Sequence, residues 1–399
     1  MHFLALKMLM GDRLKYFGLI AGIAFAAMLI AQQASILVGF TRQTGAFIRD
    51  TAQADLWVMD SQVRFSQDRV PIRDTMVQLA RGTPGVDWAV PLYQGFVRGK
   101  MPDGTSFTLI MVGLDDASLT GAPPLMLSGQ LSDLRRDRGV LIDGRTAAKK
   151  LLMKNGGDRP MQIDDRFSIM DHEARIVGTY QGRESFFWEP VIYTTYTRAL
   201  AFSPQERNGL SFVMVKLAPG ANLEATRTAL QARTGLTVRT NEEFIQLTAD
   251  YILNETGVLI NFGLAVLLGF IIGALVAGQT FYNFTLDNLR HYGALKAMGV
   301  TNLRLAGMVL LQAGVVAIQG YAIGVGMAAG MGLLVAKSGL AFSMPWYIPL
   351  FTLVAMLLVC ALAAWLSLRR VFALEPAVVT DMNQVLGRHA GNALEVKSV

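Results

Sequence analysis

Four apolar runs, at 17–40, 258–281, 305–335 and 347–368, constrain this chain more than any other feature. A helix needs about 20 apolar residues to cross the hydrocarbon core. Each run meets that length and carries no Asp, Glu, Lys or Arg inside it. A long polar insert separates the first run from the second. The sequence therefore predicts a multi-pass α-helical membrane protein, with four transmembrane helices and a large α+β domain inserted between helices 1 and 2. Composition agrees: 17% of residues are charged and 52% are hydrophobic, against about 25% charged in soluble proteins.

The first run could be read as a cleaved leader, since Lys7, Arg13 and Lys15 precede it. Its apolar stretch exceeds the usual signal core of about 7–15 residues, which favours an uncleaved anchor. Positive charge sets the topology. Lys7, Arg13 and Lys15 flank the first run; Arg290, Lys296 and Arg304 lie between the second and third; Arg369 and Arg370 follow the fourth. The loop between the third and fourth has only Lys337. The positive-inside rule puts both termini and the middle loop in the cytoplasm, and the insert outside. Residues 3–16 read as an amphipathic helix on the inner surface; the plainer alternative is a frayed, positively charged anchor.

The net charge of +6 does not point to nucleic acid, because the basic residues form no dense patch with aromatic platforms. Anionic lipid headgroups account for the juxtamembrane charges. The single cysteine, Cys360, excludes an internal disulfide and a cysteine-type zinc site. Ion-driven transporters usually need ionisable groups inside the bilayer. Here the polar groups in or near the spans are Gln32, Gln33, Gln279, Gln312 and Gln319, so energy is expected from elsewhere. Gly269/Gly273, Gly320/Gly324 and Gly326/Gly330 have the spacing that lets helices approach closely, within one chain or across a dimer.

In the insert, alternation and turn residues predict strands at 56–60, 86–98, 106–114, 139–143, 175–180, 190–195 and 211–217, with Pro102-Asp103-Gly104 as a hairpin signal. Helices are predicted at 71–81, 145–153, 222–234 and 242–254. Asn222 is the expected N-cap of the third, with Ala225 and Leu230 facing inward. The fourth is expected to run unbroken into the second span as a stalk, with 41–53 as its counterpart after the first. No catalytic constellation emerges. His172 has no second histidine in the insert, and the Asp115-Asp116 and Asp164-Asp165 pairs sit in loop-like stretches. The glycines at Gly95 and Gly99 before Lys100 lack the spacing of a phosphate loop. The aromatic patch Phe186-Phe187-Trp188 is either an exposed contact surface or part of the core.

The segment 285–299, TLDNLRHYGALKAMG, joins the second and third spans. Tyr292-Gly293-Ala294-Leu295-Lys296-Ala297-Met298-Gly299 resembles the cytoplasmic-loop signature of the MacB/FtsX-like ABC transporter permeases. Leu368-Arg369-Arg370-Val371 with Glu375-Pro376-Ala377 resembles their C-terminal motif. The string 279–299 is most similar to the DevC-type permeases. One span, a large outer domain and three further spans is the layout of that family. The resemblance implies a surface helix at 1–16, TM1 at 17–40, a periplasmic α+β domain with helical stalks at 41–256 and TM2 at 257–282. It then implies a coupling-helix loop at 283–303, TM3 at 304–335, a short loop at 336–346, TM4 at 347–368 and a cytoplasmic tail at 369–399.

It further implies a non-catalytic subunit of a bacterial inner-membrane exporter or mechanotransmitter, acting as a homodimer on a separate ABC ATPase dimer. ATP and Mg would bind that partner; this chain would hold no cofactor and no metal. Thr285, Asp287, Asn288, Arg290, His291, Tyr292, Leu295, Lys296 and Met298 would meet the ATPase. A periplasmic adaptor and a TolC-like outer-membrane channel would complete an export path. An FtsX-like regulator of cell-wall hydrolases, without cargo, is the alternative, and a ligand sensor is a third. His291 stands where the family has glutamate. It either makes a different polar contact, makes coupling pH-sensitive, or lies solvated on the surface.

Overall fold

The computed structural model describes residues 2–51, 53–145, 151–153, 159–183, 189–203, 209–336 and 341–372. The chain forms two compact units, Phe40–Val258 and Met1–Gly39 with Leu259–Val399. The helix expected at 145–153 falls largely outside the described residues, and its described end, Leu152–Met153, is a strand instead; the aromatic patch Phe186-Phe187-Trp188 and Glu375-Pro376-Ala377 of the C-terminal motif lie wholly outside them.

In the first unit, the described residues form one mixed ten-stranded sheet. Its strands are β1 (Leu56–Met59), β2 (Val86–Lys100), β3 (Ser106–Leu114), β4 (Met126–Ser128) and β5 (Gly139–Asp143), then β8 (Arg166–Ile169), β9 (His172–Tyr180), β10 (Val191–Thr195), β11 (Phe212–Leu217) and β12 (Thr237–Thr240). The short strands β6 (Leu152–Met153) and β7 (Arg159–Pro160) pair separately. The order runs β12-β1-β11-β2-β3-β10-β5-β9-β4, with β8 against β2 and β9. β2 is long because it serves three partners, its last residues, Gly99 and Lys100, also meeting β8. Its first half pairs with β11 (Leu92↔Phe212) and its second with β3 (Tyr93↔Gly113), the switch following Pro91. Proline cannot donate to a ladder, so it suits such a changeover.

Side-chain alternation gives the sheet two apolar faces. One buries Val58, Tyr93, Val97, Leu109, Met111 and Val213. It packs with α4 (Thr75–Arg81), α5 (Tyr196–Phe202) and α6 (Leu223–Thr234). The other buries Trp57, Leu92, Ile110, Val112, Tyr193 and Phe212. It packs with α3 (Ala46–Asp50) and α7 (Asn241–Glu255). Trp57 anchors that side. Its Nε1 donates to Asn241 Oδ1 at 2.6 Å, and its ring meets Phe244 and Phe212 at 5.4 and 5.9 Å.

Several local expectations change. α4 starts at Thr75 because Ile72 is tied in a bridge to Leu210, so Pro71 lies outside the helix. Asn222 does cap α6, accepting from Ala225 N at 3.1 Å. Ala225, however, is exposed, and Thr226 takes the buried position. α7 opens on a capping box of Thr240 and Glu243, then stops. Gly257 adopts φ +71°, a left-handed conformation that interrupts the expected continuous stalk. The counterpart is interrupted too: α2 (Arg13–Thr44) and α3 are separate helices with Gly45 between them. Gly95 and Gly99 lie inside β2 rather than in a loop. His172 begins β9 and stacks on Phe202 at 5.8 Å, while Asp116 accepts from Thr197 and Asp165 from Arg159.

The second unit is helical. α1 (His2–Leu9) precedes α2; α8 (Val258–Asp287), α9 (Leu289–Ala297), α10 (Asn302–Ala336) and α11 (Tyr347–Phe372) follow the sheet domain. α2, α8, α10 and α11 are long and apolar enough to cross a membrane. Four membrane helices thus flank an α+β domain inserted after the first. Glycines set the packing around α2. A Cβ on Gly273 would sit 3.0 Å from Ala26 Cβ, one on Gly320 2.6 Å from Ile23, and one on Gly324 2.7 Å from Ala27 Cβ. Gly269 is likewise seated against Leu29 and Ile30. Gly326 and Gly330 meet nothing within 4 Å and face outward.

Candidate coupling surface

The segment between the second and third spans is a short helix held by its own chemistry. α8 ends at Asp287, and Asn288 Nδ2 donates to Phe284 O at 2.9 Å, satisfying a carbonyl of its last turn. α9 follows and closes in a Schellman motif. Gly299 N donates to Lys296 O at 3.0 Å and Val300 N to Leu295 O at 3.1 Å. Gly299 has φ +87°, which explains the glycine that ends this stretch.

The two sides of α9 differ. Tyr292, Gly293 and Leu295 are buried, together with Thr285 at the end of α8. Tyr292 and Leu295 pack in one core with Ala5, Leu9, Leu305 and Met308. The Tyr292 hydroxyl faces Gln312 Oε1 at 3.5 Å, and Gln312 Nε2 donates to Ala5 O at 2.7 Å. Burial pushes the Tyr292 phenol up to about 12. A polar chain therefore links α1, α9 and α10 inside this unit.

The opposite side carries Arg290, His291, Ala294, Ala297 and Met298, all exposed; Met298 is 73% accessible. Lys296 is half-buried. Asp287 is engaged within the chain: Lys15 Nζ reaches its Oδ2 at 2.5 Å and also contacts Asp12 at 3.4 Å. The nine residues expected to meet an ATPase thus divide. Thr285, Tyr292 and Leu295 point inward, Lys296 is half-buried between the two sides, Asp287 and Asn288 serve the local structure, and Arg290, His291 and Met298 face out. Ala294 and Ala297 join that outer face unforeseen. Helical spacing carried the signal, since positions 287, 290, 291, 294 and 298 share one side of a helix.

This geometry stands on a chain whose two parts each match a family model. Residues 17–233 match the MacB-like periplasmic core domain, which alone covers more than half of the chain. Residues 249–376 match the FtsX-like permease C-terminal domain. The chain belongs to the MacB/FtsX-like ABC transporter permeases. It is a membrane protein of that family with a MacB-like periplasmic domain, and the family works with an ATPase partner. No curated protein matches the sequence. Among solved structures, the extracellular domain of the noncanonic ABC-type transporter YknZ from Gram-positive bacteria is 12% identical. That match covers 47% of this chain and 98% of that one, with a TM-score of 0.34. The periplasmic region of MacB from Actinobacillus actinomycetemcomitans is 13% identical over 50% of this chain and 94% of that one, with a TM-score of 0.37.

Proposed function

We propose that this permease is the non-catalytic membrane subunit of an ATP-driven exporter or mechanotransmitter. The outer face of α9 docks on a separate ABC ATPase dimer on the cytoplasmic side of a bacterial inner membrane. The observation that carries this reading is the split helix. Its inner side is fixed to α1 and α10 through Tyr292, Gln312 and Ala5, and its outer side presents Arg290, His291 and Met298 to solvent. A partner pressing on such a helix moves the spans at its two ends, because α9 cannot give way against its own core. ATP and Mg act on the partner. A second copy of the chain, seated on the open Gly326/Gly330 face, completes the membrane part, and an adaptor with an outer-membrane channel receives the cargo.

The test is co-purification of an ABC ATPase with the tagged permease. Replacing Arg290, His291 and Met298 together by Glu, Ala and Asp abolishes capture while the permease stays folded in detergent. Undiminished capture by that variant sinks the docking face. The FtsX-like match over 249–376 favours a second reading of the output, regulation of periplasmic cell-wall hydrolases without cargo. An adaptor in the purified complex supports export; a hydrolase supports regulation.

A further inference from the structure

The outer domain holds a polar hollow that the coupling role leaves unused. Gln94 on β2 pairs with Val112 on β3, and Tyr193 on β10 pairs with the same Val112. Alternation therefore puts Gln94, Ile110, Val191 and Tyr193 on one face of the sheet. The hollow lies between that face and Phe47 and Asp50 of α3, with Arg183 at its rim.

Gln94 is 1% exposed. Its backbone is satisfied: its N–H donates to Ser211 Oγ, and its carbonyl accepts from the same hydroxyl, each at 3.0 Å. Its side chain is not, for neither Nε2 nor Oε1 has a hydrogen-bond partner among the described residues. Buried polar atoms are nearly always paired, because an orphan keeps its desolvation cost without return. An amide open at both ends on the wall of a hollow is complementary to one incoming donor and one incoming acceptor.

Charge narrows the chemistry. The Asp50 side chain is 6% exposed and accepts from the Arg183 guanidinium at 2.6 Å and from the Arg183 backbone N–H at 2.8 Å. An entering anion would meet the buried Asp50 carboxylate, and an entering cation would compete with Arg183 for it. A neutral planar group avoids both. Size narrows it further. The hollow has about 360 Å³ of free space including its open mouth, against about 30 Å³ for one water in the liquid. A planar group of a few heavy atoms fits that space, and anything larger extends through the mouth.

We propose that the hollow beneath α3 binds a neutral carboxamide group, which pairs with both ends of the Gln94 side chain. The group comes on a small amide or at the end of an Asn or Gln side chain of a peptide; the recognition is the same. Bound there, it bridges the sheet and α3, the first helix of the outer domain.

Saturation-transfer NMR on the full chain in detergent tests this, with acetamide, acetate and methylammonium as probes. Acetamide gives a signal, and the two ions bind at least ten-fold more weakly. Gln94→Leu removes the acetamide signal while circular dichroism shows a folded protein. Displacement of acetamide by Gly-Asn-Gly or Gly-Gln-Gly assigns the group to a peptide; no displacement assigns it to a small molecule. Equal signals from the three probes, or an acetamide signal that survives in folded Gln94→Leu, overturns the proposal. If Gln94→Leu does not fold, discrimination among the probes by the natural chain decides alone. A crystal soaked in acetamide that shows only water on Gln94 also overturns it.

Discussion

Asp165 and Tyr292 illustrate how single side chains are set by their surroundings. The Arg159 guanidinium, 2.7 Å from Asp165, holds that carboxyl below the usual carboxylate range. The folded state therefore releases this proton more readily than the unfolded chain. The stabilisation is complete above the unfolded value near 3.8 and is lost as pH falls through the lower folded value. Arg159→Gln removes that contribution, so the melting temperatures of variant and natural chain converge as pH drops from 7 towards 3. Curves that stay parallel over that range contradict the assignment. On α9 the prediction is an asymmetry between neighbours. Tyr292→Ala empties a fully buried position and costs about 3 kcal/mol by the usual scale for large aromatic truncations. His291→Ala changes an exposed position and stays within about 0.5 kcal/mol. Denaturation of both variants in mixed micelles measures the difference, and equal losses would mean that the inner and outer sides have been misassigned.

At the scale of elements, backbone geometry decides where helices stop. Gly299 holds φ +87° at the end of α9, where a β-branched side chain is strained by about 1–3 kcal/mol. Gly299→Val should fray α9, exposing its amides to hydrogen exchange while those of α10 stay protected. Uniform protection across both would refute the role of this glycine. Such endings explain what the sequence made legible. Alternation of apolar residues disclosed β2, β3, β5, β10 and β11, and long apolar runs disclosed the four spans, because both periodicities reflect burial directly. β12 escaped notice because Thr237–Thr240 is short and polar and is held by backbone pairing to β1. The break at Gly257 escaped because a lone glycine between two helical patterns is compatible with a helix until its φ is known. On α9 the signature residues were legible as a group. Their division into an inner and an outer face required helical phase, and the involvement of α1 required the Gln312 to Ala5 contact. No signal in sequence order marked Gln94, since its solitude is a property of what surrounds it.

For the whole molecule, the decisive asymmetry is among the membrane glycines. Gly320 and Gly324 are filled by Ile23, Ala24 and Ala27 of the same chain, whereas Gly326 and Gly330, further along α10, have nothing within 4 Å. Helices in a bilayer gain little from apolar contact with one another, and associate where small residues let backbones approach. If two copies pair through that open face, their Gly330 positions lie close together. The single cysteine makes this testable, because Cys360→Ser gives a chain with no other thiol. In that background Gly330→Cys, oxidised in native membranes, should form a species of twice the 43.5 kDa mass. Leu366→Cys, 59% exposed on α11, supplies a thiol equally open to lipid but away from the proposed seam, and should remain monomeric on the same gel. Cross-linking at both positions would indicate collision in the membrane rather than a specific interface. Cross-linking at Leu366 alone would move the seam to α11 and leave the open glycines of α10 as a lipid-facing surface.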